Sequence, residues 1–159
     1  MTQAEYVAYY IRFLVTTLGP AVKRETKNDE GLQNDAALQA DLENKKNGLI
    51  VLTLVSFIES NFLTKPDLKL LRQFQAPTTA IAPSINLTHL SCFIYLRDCF
   101  AHDPNAVLLG AGTNTSSFCA AVASGSFPWA TISGKSISVV PNGTHELHLN
   151  VLRFFGVNV

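Results

Sequence analysis

The sequence predicts a mainly α-helical domain, a helical bundle with a small β-hairpin near its C-terminus. Three observations carry this. Apolar residues recur at helical spacing through the first two thirds of the chain, one long segment is apolar nearly all round, and strand-like alternation begins only after residue 127. With 159 residues, 47% of them hydrophobic, the chain has material for one domain around one core. No long polar or Gly/Ser-rich tract divides it, and it holds no internal repeat, so 1–159 reads as a single domain.

Thr2-x-x-Glu5 has the form of a capping box, in which hydroxyl and carboxylate each satisfy a free backbone N–H. Tyr6, Tyr10, Phe13, Leu14 and Leu18 then recur as one helical face until Gly19-Pro20 ends or bends the segment. Lys23 to Asn34 is polar, either a solvated helix extension or a loop. Asp35 can cap the next helix, which runs to about Leu63. Its first half sets Leu38 and Leu42 against Asp41, Glu43, Lys45 and Lys46, and its second half, Leu49 to Phe62, is apolar nearly all round. Such a helix has one end at the surface and the other among neighbours.

Lys65 to Gln75 is a short helix with Pro66 in its first turn, where no N–H is lost to the ladder. Pro77 and Pro83 enclose a loop. A helix follows from Ser84 to about Ala101, stopped by His102-Asp103-Pro104 because the residue before proline is pushed away from helical geometry. Asn105 to Asn114 reads as a loop and Ser116 to Ala123 as a short helix. Trp129 to Ile132 and Lys135 to Val140 alternate around Ser133-Gly134 as a hairpin. Thr144 can cap a final helix carrying Leu147, Val151, Leu152 and Phe155, with Gly156 as its stop.

Twelve basic and twelve acidic residues leave the formal charge at zero, which argues against binding nucleic acid by a broad basic sheet. Any RNA contact is therefore expected in a cleft that concentrates a few cations. Cys92, Cys99 and Cys119 lack metal-type spacing, and the first two fall inside an apolar helical pattern as reduced thiols. The N-terminus lacks the pattern of a signal peptide. The most apolar run, Leu49 to Ile58, is shorter than the roughly 20 residues a membrane span needs. The expected location is cytoplasmic, with no membrane partner.

The most informative stretch is Leu96-Arg97-Asp98-Cys99-Phe100-Ala101-His102. Cleavage of RNA through its 2′-hydroxyl needs a group that moves a proton near neutral pH and a fixed cation for the charge that builds on phosphorus. Histidine suits the first task and the planar arginine fork the second. No metal or cofactor is required. Asp98 and His102, four apart, share a helix face, so the carboxylate could orient the imidazole. Arg97 and His102 lie about 140° apart around a regular helix at 3.6 residues per turn. Either the helix ends in a distorted turn, or the working site combines two subunits across a two-fold axis. The bland reading is a helix surface whose C-terminal histidine is favoured by the dipole.

Tyr95 to Pro104 resembles the signature of the HEPN superfamily: an arginine, a polar residue, and a histidine four to six residues beyond the arginine. The apolar helix before it, with Glu59 near its end, resembles that family's second core helix, so the likeness covers about 35–104. The hairpin and final helix, about 127–156, lie outside the common core and suggest a specialised branch. The resemblance implies a homodimer with a composite active site that cleaves RNA without metal. Arg97 and His102 would be the catalytic pair and Asp98 the supporting polar residue, here aspartate where asparagine is commoner. Many members are toxins or phage-defence effectors, and for a toxin the resemblance implies a cognate antitoxin as partner.

Glu59, Asn61 and Asn105 are further candidates to reach the cleft, against the plainer reading of Glu59, Ser60 and Asn61 as an exposed helix end. Phe127 and Trp129 could stack a base, but packing of the hairpin on the bundle is the default. His145-Glu146-Leu147-His148 places two histidines three apart without the further ligands zinc needs. Lys23-Arg24-x-x-Lys27 and Lys45-Lys46 read as solvated faces, and Gly110-Ala111-Gly112 lacks the preceding strand of a phosphate loop. Two rival readings stand beside the ribonuclease: a non-catalytic HEPN module binding a nucleotide or protein, and a helical interaction domain with a chance motif.

Overall fold

A computed structural model describes residues 35–78, 86–103 and 105–139, apart from the side chains at 41, 43, 54, 57, 58 and 60–62. The expected first helix, the Lys23 to Asn34 stretch, the Pro83 end of the loop, the His145/His148 pair and the final helix lie outside the described residues. Within them the chain is mainly helical, with one two-stranded antiparallel hairpin towards the C-terminal side. The order is α1 (Ala36–Phe62), α2 (Lys65–Arg72), α3 (Leu87–His102), α4 (Thr113–Ala123), β1 (Ala130–Ser133) and β2 (Ser136–Val139).

α1, α2 and α3 each start where a side chain can satisfy a free N–H. Asp35 accepts from the Leu38 N–H at 3.0 Å and opens α1. Thr64 caps α2: its hydroxyl accepts from the Asp67 N–H and donates to the Asp67 carboxylate at 2.7 Å. The other Asp67 oxygen accepts from both the N–H and the hydroxyl of Thr78, so this fully buried carboxylate is satisfied by the loop beyond α2. The cap of α3 is Asn86, accepting from the His89 N–H at 3.1 Å, so the helix begins inside the span expected from Ser84.

The end of α2 shows how strongly the core can constrain backbone. Phe74 sits at φ +57°, its N–H donates to Leu71, and the Gln75 N–H reaches back to Leu70. This is a Schellman stop with phenylalanine where glycine is usual. The ring packs on the core, which offsets the left-handed backbone.

α3 is the central element. From Leu90 to Arg97 every residue is buried, as are Cys99 and Phe100. It packs on α1, α2 and α4. Gly48 of α1 permits a close approach, because a Cβ there would collide with the Phe100 ring. On the other side Phe93 stacks on Trp129 with ring centroids 3.5 Å apart, and Phe127 meets both edge-on. Trp129 and Phe127 are buried at 2% and 0% exposure, so they pack the hairpin onto the bundle and offer no face to a base.

The hairpin register pairs Ala130 with Val139 and Ser133 with Ser136, leaving Gly134-Lys135 as a two-residue turn. Gly134 has φ +61°, which fits the II′ turn such loops favour. The outer edge of β2 is not left open. The Ile137 N–H donates to Ala106, and the Asn44 amide of α1 accepts from the Val139 N–H and donates to the Ile137 carbonyl.

Candidate functional site: an arginine held between two carboxylates

Arg97 lies on the buried part of α3 with only 7% of its surface exposed. A buried guanidinium must be paired, and two elements supply the partners. Both terminal nitrogens donate to the two Glu59 oxygens in the bidentate fork arrangement, while Nε donates to Asp98 Oδ1 at 2.7 Å. Burial pulls the Arg97 pKa down, but Glu59 and Asp98 outweigh it and the net shift is upward, so the residue is a permanent cation.

Arg72, the last residue of α2, joins the cluster. Its Nε donates to Asp98 Oδ2 at 3.2 Å and its Nη2 lies 3.8 Å from Glu59. Two arginines and two carboxylates therefore form one network drawn from three helices, with no net charge. Sequence reasoning missed Arg72. Its place in the last turn of α2 suits the helix dipole, but nothing in the sequence announces a contact 26 positions away.

His102 sits elsewhere on the same helix. α3 stays α-helical through His102, and the Asp103 N–H still donates to Cys99 at 2.9 Å. The distorted turn that could have swung imidazole towards guanidinium is absent. In one chain Arg97 is buried in a carboxylate cage, and His102 is exposed at the helix end. Asp98 serves a different partner from the one spacing suggested. One of its oxygens is bonded to Arg97 and the other to Arg72, and among the described residues no bond joins it to His102.

Of the remaining candidates, Glu59 is brought directly to Arg97. Asn61 lies in the last turn of α1, its side chain outside the described ones. Asn105 is exposed in the turn after α3, where its N–H donates to the Asp103 carboxylate at 2.9 Å. Cys92 and Cys99 are fully buried, and burial pushes each thiol up to about 12, so both are inert core thiols.

A cavity of about 580 Å³ opens beside the Arg72–Asp98 pair. Tyr95 lies in its wall, with its hydroxyl bonded to Thr115 at 2.7 Å and accepting from the Leu109 N–H at 3.0 Å. Among the described residues no group of three or more His, Cys, Asp or Glu is arranged to hold a metal, and no helix is long and apolar enough to cross a membrane. No protein-family model, curated protein or solved structure matches the chain.

Proposed function

We propose that the protein is a metal-independent endoribonuclease whose active centre is completed by a second copy of the chain. The observation that carries this reading is the grip on Arg97. Glu59 and Asp98 together fix the guanidinium plane, while an exposed histidine stands at the end of the same helix. A fixed cation and a free imidazole are what 2′-hydroxyl attack requires. On one regular helix they cannot serve one phosphate, so each active centre would take Arg97 from one copy and His102 from the other. A shallow groove of Lys45, Gly48, Leu49 and Leu52 against Phe100, two residues before His102, offers apolar surface near that helix end for the second copy. Leu49 is 48% exposed there.

In this reading His102 takes the 2′-hydroxyl proton or returns one to the leaving 5′-oxygen, and Arg97 stabilises the charged phosphorus. The products are a 2′,3′-cyclic phosphate and a 5′-hydroxyl. A role as toxin or phage-defence effector, with an antitoxin partner and a cytoplasmic site of action, rests on the HEPN resemblance alone.

The charge balance of the cluster favours a second reading, a non-catalytic module. Two carboxylates already neutralise the arginines, so Arg97 has less to offer a phosphate than a bare cation. Incubating the purified protein with a mixed RNA pool, with and without EDTA, separates the two. Cleavage unaffected by EDTA and lost in His102→Ala supports the enzyme. Intact RNA, or cleavage by His102→Ala at the wild-type rate, defeats it.

A further inference from the structure

A sizeable polar cavity lies between α2, α3 and the start of α4. Its volume of about 580 Å³ falls in the ordinary range of small-ligand pockets, about 300–1,000 Å³. Its chemistry is distinctive. Arg72 and Asp98 are the charged residues in its wall, and they are paired with each other, so the cavity does not select by net charge. Further hydrogen-bonding side chains in the wall are the amides of Gln73, Gln75 and Asn114 and the hydroxyl of Thr113. Each amide presents a donor beside an acceptor, the arrangement that matches the edge of a nucleobase.

The backbone at this rim is fixed. The Schellman stop at Phe74 seats its ring on the core and holds the two glutamines on either side of a left-handed residue. Across the cavity, the first turn of α4 has no side-chain cap, since Gly112 occupies that position. Tyr95 spends its hydroxyl on Thr115 and Leu109, leaving ring carbon as lining. Arg72, with 46% of its side chain exposed, stands in the cavity wall paired with Asp98.

We infer that this cavity is a base-recognition subsite, taking one unstacked ribonucleotide of the strand whose neighbouring phosphodiester lies at Arg97. The inference rests on the ribonuclease reading and deepens it, because Asp98 bridges the cavity wall to Arg97. The base is read by Gln73, Gln75 and Asn114, and the subsite sets the nucleotide beside which cleavage occurs.

The test titrates the full chain with the 3′-monophosphates of adenosine, guanosine, cytidine and uridine, followed by NMR chemical shifts. RNA cleavage is measured in parallel. The expected result is base-selective binding, weakened about fivefold in each of Gln75→Ala and Asn114→Ala, the effect of one lost hydrogen bond. The same variants blur the base preference of cleavage. Equal affinity for all four nucleotides, no binding at millimolar concentration, or unchanged selectivity in both variants overturns the subsite. Base-selective binding without any cleavage sustains the subsite and removes the enzyme reading. Cleavage without base-selective binding does the reverse.

Discussion

Glu59→Gln keeps the shape of the side chain and removes its charge. In the native chain Glu59 and Arg97 are mostly shielded from water, with side-chain exposures of 17% and 8%. Removing one partner of such a pair costs about 3–5 kcal/mol, because the remaining charge stays buried. Asp98 continues to hold Nε of Arg97, which places the expected cost at the lower end, about 3 kcal/mol. With a urea slope of about 2 kcal/mol/M, the unfolding midpoint should fall by about 1.5 M. Arg72→Gln breaks a pair whose arginine is 46% exposed, and solvent screening limits its cost to about 0.5 kcal/mol. The double variant Glu59→Leu/Arg97→Met replaces the buried pair with apolar volume and should recover most of the loss. Urea titrations by circular dichroism measure all three. A Glu59→Gln midpoint no lower than that of Arg72→Gln would refute the view that Glu59 is the principal holder of Arg97.

Two further outcomes follow from the packing. Gly48→Ala gains about 1 kcal/mol of helix propensity but drives a methyl into the Phe100 ring, and overpacking costs about 1–3 kcal/mol. The variant should be destabilised in urea and rescued by Phe100→Leu, whereas wild-type stability in the single variant would contradict the α1–α3 contact. Cys92 and Cys99 carry thiol values raised by burial from 9.0 to about 12. Below pH 9 folded and unfolded chains both keep these protons, so nothing is lost. Between pH 9 and about 12 only the unfolded chain releases them, and stability should fall by about 1.4 kcal/mol per pH unit for each thiol. Cys92→Ala and Cys99→Ala should each flatten that slope by one thiol's share, and an unchanged slope in both would contradict the burial argument.

Local chemistry was legible in the sequence. Asp35 as a cap, Pro66 in a first turn, a helix stop at His102-Asp103 and Gly134 in a hairpin turn all act over a few residues, and each is found where the sequence puts it. Contacts between distant segments were not legible. Asn44 clamps β2 across 95 positions, and Arg72 reaches Asp98 across 26. No spacing rule connects such pairs. Phe74 was hidden for another reason: a left-handed stop normally advertises itself by glycine, and here core packing of a ring overrides that preference. In the candidate site, the motif residues were readable one by one, but not their environments. Spacing suggested that Asp98 would orient His102, yet two arginines, one of them unsuspected, claim that carboxylate.

The central claim is that an active centre draws Arg97 and His102 from different copies. Mixing two inactive variants tests it most directly. Arg97→Lys keeps a cation between the carboxylates but loses the fork, and His102→Ala changes an exposed side chain. After subunit exchange in an equal mixture, half of the dimers are mixed, and each of these has one centre with both groups intact and one with neither. The account predicts recovery of about a quarter of wild-type RNA cleavage. A mixture as inactive as its components, with subunit exchange verified and the wild type active, would contradict it.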